Sequence, residues 1–342
     1  MTGAGSAPAS VRAAALVRSA LVWDNVFPIN LPGEIELGNS WDALQSFRDV
    51  GFDVVSITLA GDNHNVSQAF SLCAWARREL QGRADRLLLV KDLADIERAR
   101  ASGRLAVILH FEGTRCFERN PAVIELFYDL GIRQTLVAFN QQNSAGGGCA
   151  DPEDGGLTPY GRRLIREMQR VGMLVDLSHV GERTSLDAIA VATRPVVFSH
   201  SNARALCPSF RNLTDEQIRA CARTGGVVGV SGSSEYLGDL SCSSETLFRH
   251  IDYITSCVGI EHVALGLDVV FDPVALSTWA RGRPDEWPMT QDPHWPGFRY
   301  AQPEQITGVV ELMLQAGYSE ANARKVLGEN WLRVCAATWR GN

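Results

Sequence analysis

The sequence predicts an α/β protein made of a single (β/α)8 barrel of the TIM type, with extended loops at the carboxyl face. Three observations predict this fold. Short apolar runs alternate with helix-periodic segments, which is typical of a parallel sheet. Eight such runs occur, and eight favour a closed barrel over an open doubly wound sheet. No GxGxxG motif follows the first run, which disfavours a dinucleotide-binding fold.

The strand-like runs are rich in β-branched and apolar residues. In chain order they are Ala20–Asp24, Asp53–Leu59, Leu105–Phe111, Gln134–Phe139, Met173–Ser178, Pro195–Ser199, Gly226–Ser231 and His262–Leu267. Segments with apolar residues three and four apart lie between them and predict helices. These are Trp41–Val50, Asn65–Leu80, Pro121–Tyr128, Pro159–Arg170, Glu182–Ala190, Thr214–Arg223 and Ser244–Cys257.

Three other segments stand apart from this alternation. Residues 1–18 are rich in small residues, and we expect them to be disordered. Residues 144–156, after the fourth run, are rich in glycine and acidic residues, whereas residues 272–303, after the eighth, carry tryptophans among prolines. In a barrel both loops emerge at the face that holds active sites. We interpret 272–303 as an active-site loop, with surface decoration as the alternative.

Composition excludes several classes of partner. Lys and Arg number 32 against 39 Asp and Glu, and no basic cluster stands out, which excludes a nucleic-acid partner. Arg12 and Arg18 interrupt the apolar start, and no later segment approaches the roughly 18 apolar residues of a membrane span. We expect a cytoplasmic protein with no membrane partner. The 8 cysteines form no CxxC motif and are expected to be reduced.

Polar side chains gather where the predicted strands end. Glu112 follows the third strand, His179 and His200 follow the fifth and sixth, and Asp268 follows the eighth. Because the carboxyl ends of barrel strands open on one face, these side chains are expected to converge. One carboxylate and two imidazoles suit Zn²⁺, which lowers the pKa of a bound water to about 7. Asp268 is a ligand, a general base or a proton shuttle.

Neighbouring polar residues have simpler interpretations. His110 shares its strand face with Glu112 and is expected to lie in the core or to support a ligand. Asp176, three residues before His179, is expected to be a structural carboxylate or one that supports a ligand. Core histidines that are merely hydrogen-bonded are the alternative to the metal site. Cys116 and Cys149 lack an evident histidine base, so nucleophilic cysteine catalysis is a weak option.

Five segments resemble the membrane (renal-type) dipeptidase family, zinc peptidases of the amidohydrolase-like barrel class. The segments are HFEGT at 110–114, GLTPYGRRLIREMQRVGMLVDLSHVGERT at 156–184, PVVFSHSNARALCPSFRNLTDEQI at 195–218, HVALGLDVVFD at 262–272 and GYSEANARKVLGENWLRV at 317–334. They span most of the last two-thirds of the chain, and the central pair is highly specific.

The resemblance implies roles for five residues. Glu112 matches the carboxylate that bridges two zinc ions, and His179 and His200 match ligands of the second ion. Asp268 matches the catalytic acid and base, and Arg211 matches the residue that binds the terminal carboxylate of the substrate. We therefore expect residues 1–342 to form one metallo-dependent hydrolase barrel domain. It would cleave the amide bond of a dipeptide or similar small carboxylate-bearing substrate with a metal-activated water.

The first strand departs from the family. Members carry a His-x-Asp pair there, in a context like DGHNDLP, and both side chains bind the first ion. This chain reads VWDNVFP, so Asp24 is the acidic candidate ligand, in the place of the histidine or of the acidic residue before it. Asp62 and His64 are a weaker replacement, because DNH clusters are usually loops. We expect one zinc ion per chain, with two as the alternative.

The fourth strand departs as well. Phe139, in VAFNQQN, stands where the family has an LTH-type histidine that is expected to contact the substrate carbonyl or the developing oxyanion. An aromatic ring cannot donate that hydrogen bond, and loss of one such donor lowers the rate by about 10²–10³. We place Phe139, Asn140 and Asn143 at the substrate, and expect slow hydrolysis of ordinary dipeptides unless an asparagine compensates.

Two other functions stay open. Phe139 and the aromatic loop favour a relative repurposed for another small amide, a lactam or a natural-product tailoring substrate. The missing His-x-Asp pair favours a non-catalytic barrel that binds a ligand, but the retained metal and substrate residues argue against it. The expected partner is a dipeptide or other small molecule, and the sequence leaves open whether the chain forms a homodimer.

Overall fold

A computed structural model describes residues 7–340, and its centre is a parallel sheet of nine strands. Eight of them follow one another around the sheet, and the third, β3, pairs only with β4. The predicted (β/α)8 barrel is thereby confirmed. The strands are β1 (Trp23–Pro28), β2 (Val54–Gly61), β3 (Leu87–Leu89), β4 (Leu105–Glu112), β5 (Ile132–Leu136), β6 (Leu174–Asp176), β7 (Val196–Phe198), β8 (Val227–Val230) and β9 (Val263–Leu265).

Helices alternate with the strands and surround them. They are α1 (Ala9–Ser19), α2 (Leu44–Asp49), α3 (Val66–Gly82), α4 (Leu93–Ala101), α5 (Val123–Leu130), α6 (Pro159–Val171), α7 (Glu182–Val191), α8 (Asp215–Arg223), α9 (Ser234–Leu237), α10 (Ser244–Val258), α11 (Pro273–Arg281), α12 (Ile306–Gln315), α13 (Glu320–Arg324) and α14 (Asn330–Thr338). Among residues 7–340, none of the helices has both the length and the hydropathy that crossing a membrane requires.

Local sequence determines both ends of α6, the helix that precedes β6. The Thr158 hydroxyl accepts from the Gly161 N–H at 3.0 Å, and Pro159 occupies the first helical position of α6. Gly172 ends the helix with φ of 87°, a conformation that glycine adopts without strain. Because β6 begins only two residues later, this turn passes the chain directly into the strand that precedes His179.

The strands bury apolar side chains on both faces. One cluster lies between the strands and the surrounding helices. The other gathers the opposite strand faces together with α14. There the Trp23 and Trp331 rings lie 6.5 Å apart, and Trp331 Nε1 donates to the Leu265 carbonyl at 2.9 Å. α14 therefore closes one end of the barrel, which leaves the carboxyl ends of the strands as the open face.

A chain of buried polar side chains crosses the sheet between these apolar layers and the open face. Trp23 Nε1 donates to Ser56 Oγ at 3.2 Å, and Ser56 Oγ donates to Asn25 Oδ1 at 2.6 Å. Asn25 Nδ2 donates to Gln134 Oε1 at 3.1 Å, and Gln134 Nε2 donates to Asp176 Oδ2 at 2.9 Å. Side chains two residues apart share a strand face. Residues further along β4, and those just beyond β6 and β7, therefore lie closer to the open face.

The prediction that the N-terminal segment is disordered is wrong for residues 9–18. Residues 9–18 form most of α1, and residues 1–6 lie outside the described range. α1 buries Ala13, Leu16 and Val17, which are three or four residues apart and so form one helix face. The small-residue composition of this segment suggested disorder, but many of the small residues are alanines. Alanine is the best helix former, so the composition also permits a helix.

Two further segments differ from the predicted elements. β1 begins at Trp23 rather than Ala20, because residues 20–22 form the buried connection from α1. Asp24 therefore lies near the start of the strand instead of at its end. The βα unit of β3 and α4 was not predicted, and β3 lies off the main strand order because it pairs only with β4.

Candidate metal centre and substrate cavity

Glu112, His179 and His200 come together at the open face. Their ligand atoms all lie within 4.8 Å of one another. His179 Nε2 and His200 Nε2 are 2.8 Å apart, and His200 Nε2 is 3.8 Å from Glu112 Oε1. Ligands bound at about 2.1 Å around a tetrahedral ion lie roughly 3.4 Å from one another, so the two observed separations bracket that spacing. The structure thus brings the three predicted ligands into one group.

The backbone holds His179 in an uncommon conformation. Its φ is 64°, in the left-handed region that non-glycine residues rarely adopt. Such a conformation persists only where surrounding bonds hold it. The Cys149 N–H donates to the His179 carbonyl at 2.9 Å, and the Val180 N–H donates to the Leu177 carbonyl at 3.2 Å. The strand end is therefore fixed on both sides of the imidazole.

Each imidazole is also held through its second ring nitrogen. His179 Nδ1 lies 2.7 Å from Asn140 Oδ1, and His200 Nδ1 lies 2.7 Å from Ser199 Oγ. Asn140 Nδ2 donates to the Glu286 carbonyl at 3.0 Å, which sets the orientation of the amide. Because an amide oxygen only accepts, Nδ1 of His179 carries the proton and Nε2 keeps its lone pair for a metal.

Burial shapes the charge of the group. It lowers the pKa of His179 and of His200 well below the usual value, with the Arg211 guanidinium acting in the same direction. It raises the pKa of Glu112 well above the usual value, and the charge of Asp268 adds to this. Burial also raises the pKa of Asp268 to about 7, against the influence of Arg211. Neutral imidazoles beside crowded carboxyl groups suit a divalent cation.

The donor set fits zinc or a similar borderline ion. Two neutral imidazole nitrogens and one carboxylate oxygen are the ligands of many catalytic zinc sites. Three protein ligands leave a fourth position for water or substrate. Within residues 7–340, this is the one group of three or more candidate ligands.

Asp24 lies outside this group, at the seam between β1 and β9. Its Oδ1 accepts from the Leu267 N–H at 2.6 Å, and its Oδ2 has no hydrogen-bond partner. Burial, with a contribution from Asp268, raises the pKa of Asp24 to about 8. The next but one residue is Val26, which offers no ligand atom. The carboxyl group thus links the first and last strands of the barrel.

Asp62 binds the loops that frame the open face. Its Oδ1 accepts from the N–H groups of Thr114 and Arg115 at 2.8 and 2.9 Å. Its Oδ2 accepts from the Phe139 N–H at 3.0 Å and from Asn143 Nδ2 at 2.9 Å. Four hydrogen bonds to protein groups make Asp62 a structural carboxylate, and they direct Asn143 into the same loop network.

His64 and two cysteines are also accounted for by protein contacts or burial. His64 Nε2 lies 2.6 Å from Glu34 Oε1, and its Nδ1 accepts from the Gly61 N–H at 3.0 Å. Burial raises the pKa of the Cys116 thiol and raises that of Cys149 to about 12. Both thiols therefore stay protonated at neutral pH, which disfavours them as nucleophiles.

A cavity of about 330 Å³ opens onto the metal group, and Glu112, His179 and Asp268 line it. Phe139 lies in its wall, with its ring stacked on the His179 imidazole at 4.1 Å and 23°. The segment 28–37 supplies much of one apolar side. Residues of the 272–303 segment form another part of the lining: Leu276, Trp279, Arg283, Glu286, Trp287 and Tyr300.

Arg211 lies behind the two histidines. Its Nη1 donates to Ser201 Oγ at 2.7 Å and its Nη2 donates to the His200 carbonyl at 2.8 Å. The guanidinium lies 5.3 Å from the centre of the Tyr236 ring, and its Nε has no partner. It lines a second cavity, of about 460 Å³, that shares His179 with the first.

Sequence analysis missed some of these contributors. The role of Ser199 was not predicted. The repeated Ser-His pairs at 178–179 and 199–200 could have indicated that serines support the histidines. Ser178 does so as well, because its Oγ accepts from the His200 N–H at 3.1 Å. Asn140 was predicted to bind substrate, whereas in the structure both ends of its amide contact protein groups.

Comparison with known proteins gives a match to a family model and matches to individual relatives. The model of the membrane dipeptidase family, peptidase family M19, matches residues 60–277. An uncharacterized protein in the pqqA 5′ region of Klebsiella pneumoniae is 35% identical over 268 residues, which are 75% of this chain and 91% of that protein.

Two other relatives extend the comparison. Dipeptidase tcpJ of Claviceps purpurea is 30% identical over 256 residues, which cover 73% of this chain and 55% of that protein. The crystal structure of an amidohydrolase from Pseudomonas aeruginosa has a TM-score of 0.85 at 25% identity, over 96% of this chain and 99% of that one. The family match spans more than half of the chain, and we conclude that the protein belongs to the membrane dipeptidase family.

Proposed function

We propose that this protein is a metal-dependent hydrolase that cleaves the amide bond of a dipeptide or of a similar small substrate with a free carboxylate. The observation that carries the proposal is the group of Glu112, His179 and His200 opening on a cavity that Asp268 also lines. Family membership supports the reaction class.

We infer one zinc ion, held by Glu112, His179 and His200. When bound, it would polarise the substrate carbonyl and lower the pKa of a water molecule. The two neutral imidazoles and the carboxylate support this choice of metal. The bare Oδ2 of Asp24 favours the alternative of a second ion, and that Asp24 is a ligand stays a prediction.

Asp268 is our candidate for the proton transfers. It takes the proton of the attacking water as the new C–O bond forms, and it passes that proton to the amine nitrogen as the C–N bond breaks. A pKa of about 7 suits both steps, because a group that titrates near the working pH can accept and then donate.

Arg211 is our candidate for the substrate carboxylate. Two of its five N–H groups are used by Ser201 and by the His200 carbonyl, which leaves Nε and one further hydrogen on each Nη. A buried guanidinium with unused donors favours a planar anion. Phe139 would then contact an apolar part of the substrate from its position over His179.

A second candidate function is hydrolysis of another small amide or lactam with a bulky apolar part. The Phe139 ring stacks on His179, and the Trp287 ring lies 6.0 Å from Phe139. These rings favour the second function because they make that wall of the cavity apolar. A cytoplasmic location and a homodimer stay predictions from the sequence.

The test compares free and C-amidated dipeptides on zinc-loaded wild-type protein, with His200→Ala as the metal-free control. We expect hydrolysis of free dipeptides, at least a tenfold lower kcat/KM for the amidated ones, and no activity in the control. Equal rates on both substrates would remove Arg211 from substrate binding. Absence of turnover in zinc-replete protein, on dipeptides with small and aromatic side chains alike, would reject the dipeptidase assignment and leave the second candidate.

A further inference from the structure

Amide hydrolysis develops negative charge on the carbonyl oxygen, and a hydrogen-bond donor fixed beside that oxygen stabilises it. The wall over His179 offers no such donor. The Phe139 ring covers the imidazole at 4.1 Å, and the Phe139 N–H is used by Asp62 at 3.0 Å. A donor has to come from another side of the cavity.

Several of the other polar groups in the lining already contact protein groups. Thr58 Oγ1 lies 2.6 Å from His110 Nε2, and His64 Nε2 lies 2.6 Å from Glu34 Oε1. Arg283 lies over the Trp279 ring at 3.9 Å, on the 272–303 segment.

Tyr300 differs from these groups. It lines the cavity together with Glu112, His179 and Asp268. Burial and then the Asp268 charge raise the pKa of Tyr300 well above its usual value, although the Ser233 side chain acts in the opposite direction. The phenol therefore keeps its proton at any working pH, even beside a carboxylate.

The backbone fixes Tyr300 in place. It forms an antiparallel bridge with Ser233, and the following residue, Ala301, donates its N–H to the Gly232 carbonyl at 2.9 Å. Its ring lies 6.1 Å from that of Phe298, which belongs to the small apolar cluster of the 272–303 segment. A donor held by backbone and packing needs little reorganisation during the reaction.

We propose that Tyr300 is a catalytic residue whose hydroxyl donates a hydrogen bond to the substrate's carbonyl oxygen as negative charge develops there. The inference rests on the proposed hydrolase function. The hydroxyl keeps its proton throughout; it stabilises the oxygen while the C–O bond forms and releases it when the carbonyl is restored and the C–N bond breaks.

The test is Tyr300→Phe, which keeps the ring and removes the hydroxyl. We expect kcat to fall by about 10²–10³ with KM changed less than about threefold and zinc content unchanged. A phosphinate dipeptide mimic, whose tetrahedral phosphorus carries the oxygens of the reacting centre, should bind the variant more weakly by a similar factor. Tyr318→Phe is the matched control, because that hydroxyl contacts Asp252 at 2.7 Å on the exposed surface.

Trp287→Phe tests whether the Trp287 indole, rather than the Tyr300 hydroxyl, is the donor. The Trp287 Nε1 is buried without a partner, and the residue also lines the cavity. Unchanged kcat and phosphinate affinity in Tyr300→Phe would overturn the proposal, and a loss confined to Trp287→Phe would move the role to the indole. Zinc-loaded wild type that binds the phosphinate without hydrolysing dipeptides would reject the proposed function, and the binding measurement would still decide the role of Tyr300. Wild type that does neither would overturn both.

Discussion

The two halves of the open face are constructed differently. In the later half, His179, His200 and Asp268 follow their strands, and left-handed φ values of 64° and 58° mark His179 and Asp268. In the first half, Asp24 lies inside β1 and Asp62 is saturated with hydrogen bonds from neighbouring loops. The family match, residues 60–277, begins after β1. Two of the three candidate metal ligands and Asp268 therefore lie in the later half, whereas the first half supplies Glu112, structural carboxyl groups and an apolar wall.

The largest effect should follow from removing a histidine ligand of the later half. His179→Ala or His200→Ala should lose the tightly held ion, because a three-ligand site retains only two ligands after either change. Elemental analysis after dialysis measures the loss. His294→Ala, at an exposed position of the 272–303 segment, is the control and should keep its metal. One equivalent surviving in His200→Ala would show that a group of ligands without His200 also binds metal.

Asp268→Asn should separate proton transfer from metal binding. The amide keeps the shape of the side chain but cannot accept a proton, so we expect kcat to fall by about 10²–10⁴ with metal content retained. Steady-state kinetics on zinc-loaded protein give the comparison. Loss of the ion in this variant would instead make Asp268 a ligand.

Asn140→Ala should weaken metal binding without removing a ligand. The change deletes the oxygen that orients His179, and loss of such a supporting contact typically lowers metal affinity by about 10–100-fold. Competition with a chelator of known affinity measures it. An affinity equal to that of wild type would show that Phe139 stacking alone orients the ring.

The smallest effect concerns Asp24 and has a defined pH dependence. The folded-state pKa of about 8 lies above the usual 3.8, so folding favours the protonated form. Its contribution to stability is fully present below about pH 4 and is lost as pH rises towards 8. Asp24→Asn should therefore raise the Tm of metal-free protein at pH 8 by a few degrees and leave it unchanged at pH 4, as thermal unfolding will show. A metal content lower than wild type would identify Asp24 as a ligand.

The contrast between the halves also explains what the sequence could predict. Glu112, His179, His200 and Asp268 were recognisable because each ends or follows a strand whose apolar pattern is local. Asn140 was placed at the site but in another role, since its contacts with His179 and Glu286 arise only when distant loops meet. Apolar residues 20–22 imitated a strand, and so the true position of Asp24 within β1 was not recognisable.

The packing of α14 against the strands has a consequence for synthesis of the protein. Trp23 and Trp331 meet inside the same apolar cluster although nearly the whole barrel sequence separates them. A ribosome must therefore deliver every βα unit before that end of the barrel can close, and such distant pairings fold slowly. Until then the apolar strand faces remain open to other chains. Translation that stops before Asn330 would leave an aggregation-prone fragment rather than a weakened enzyme, because the missing helix supplies core for both the first and the last strand.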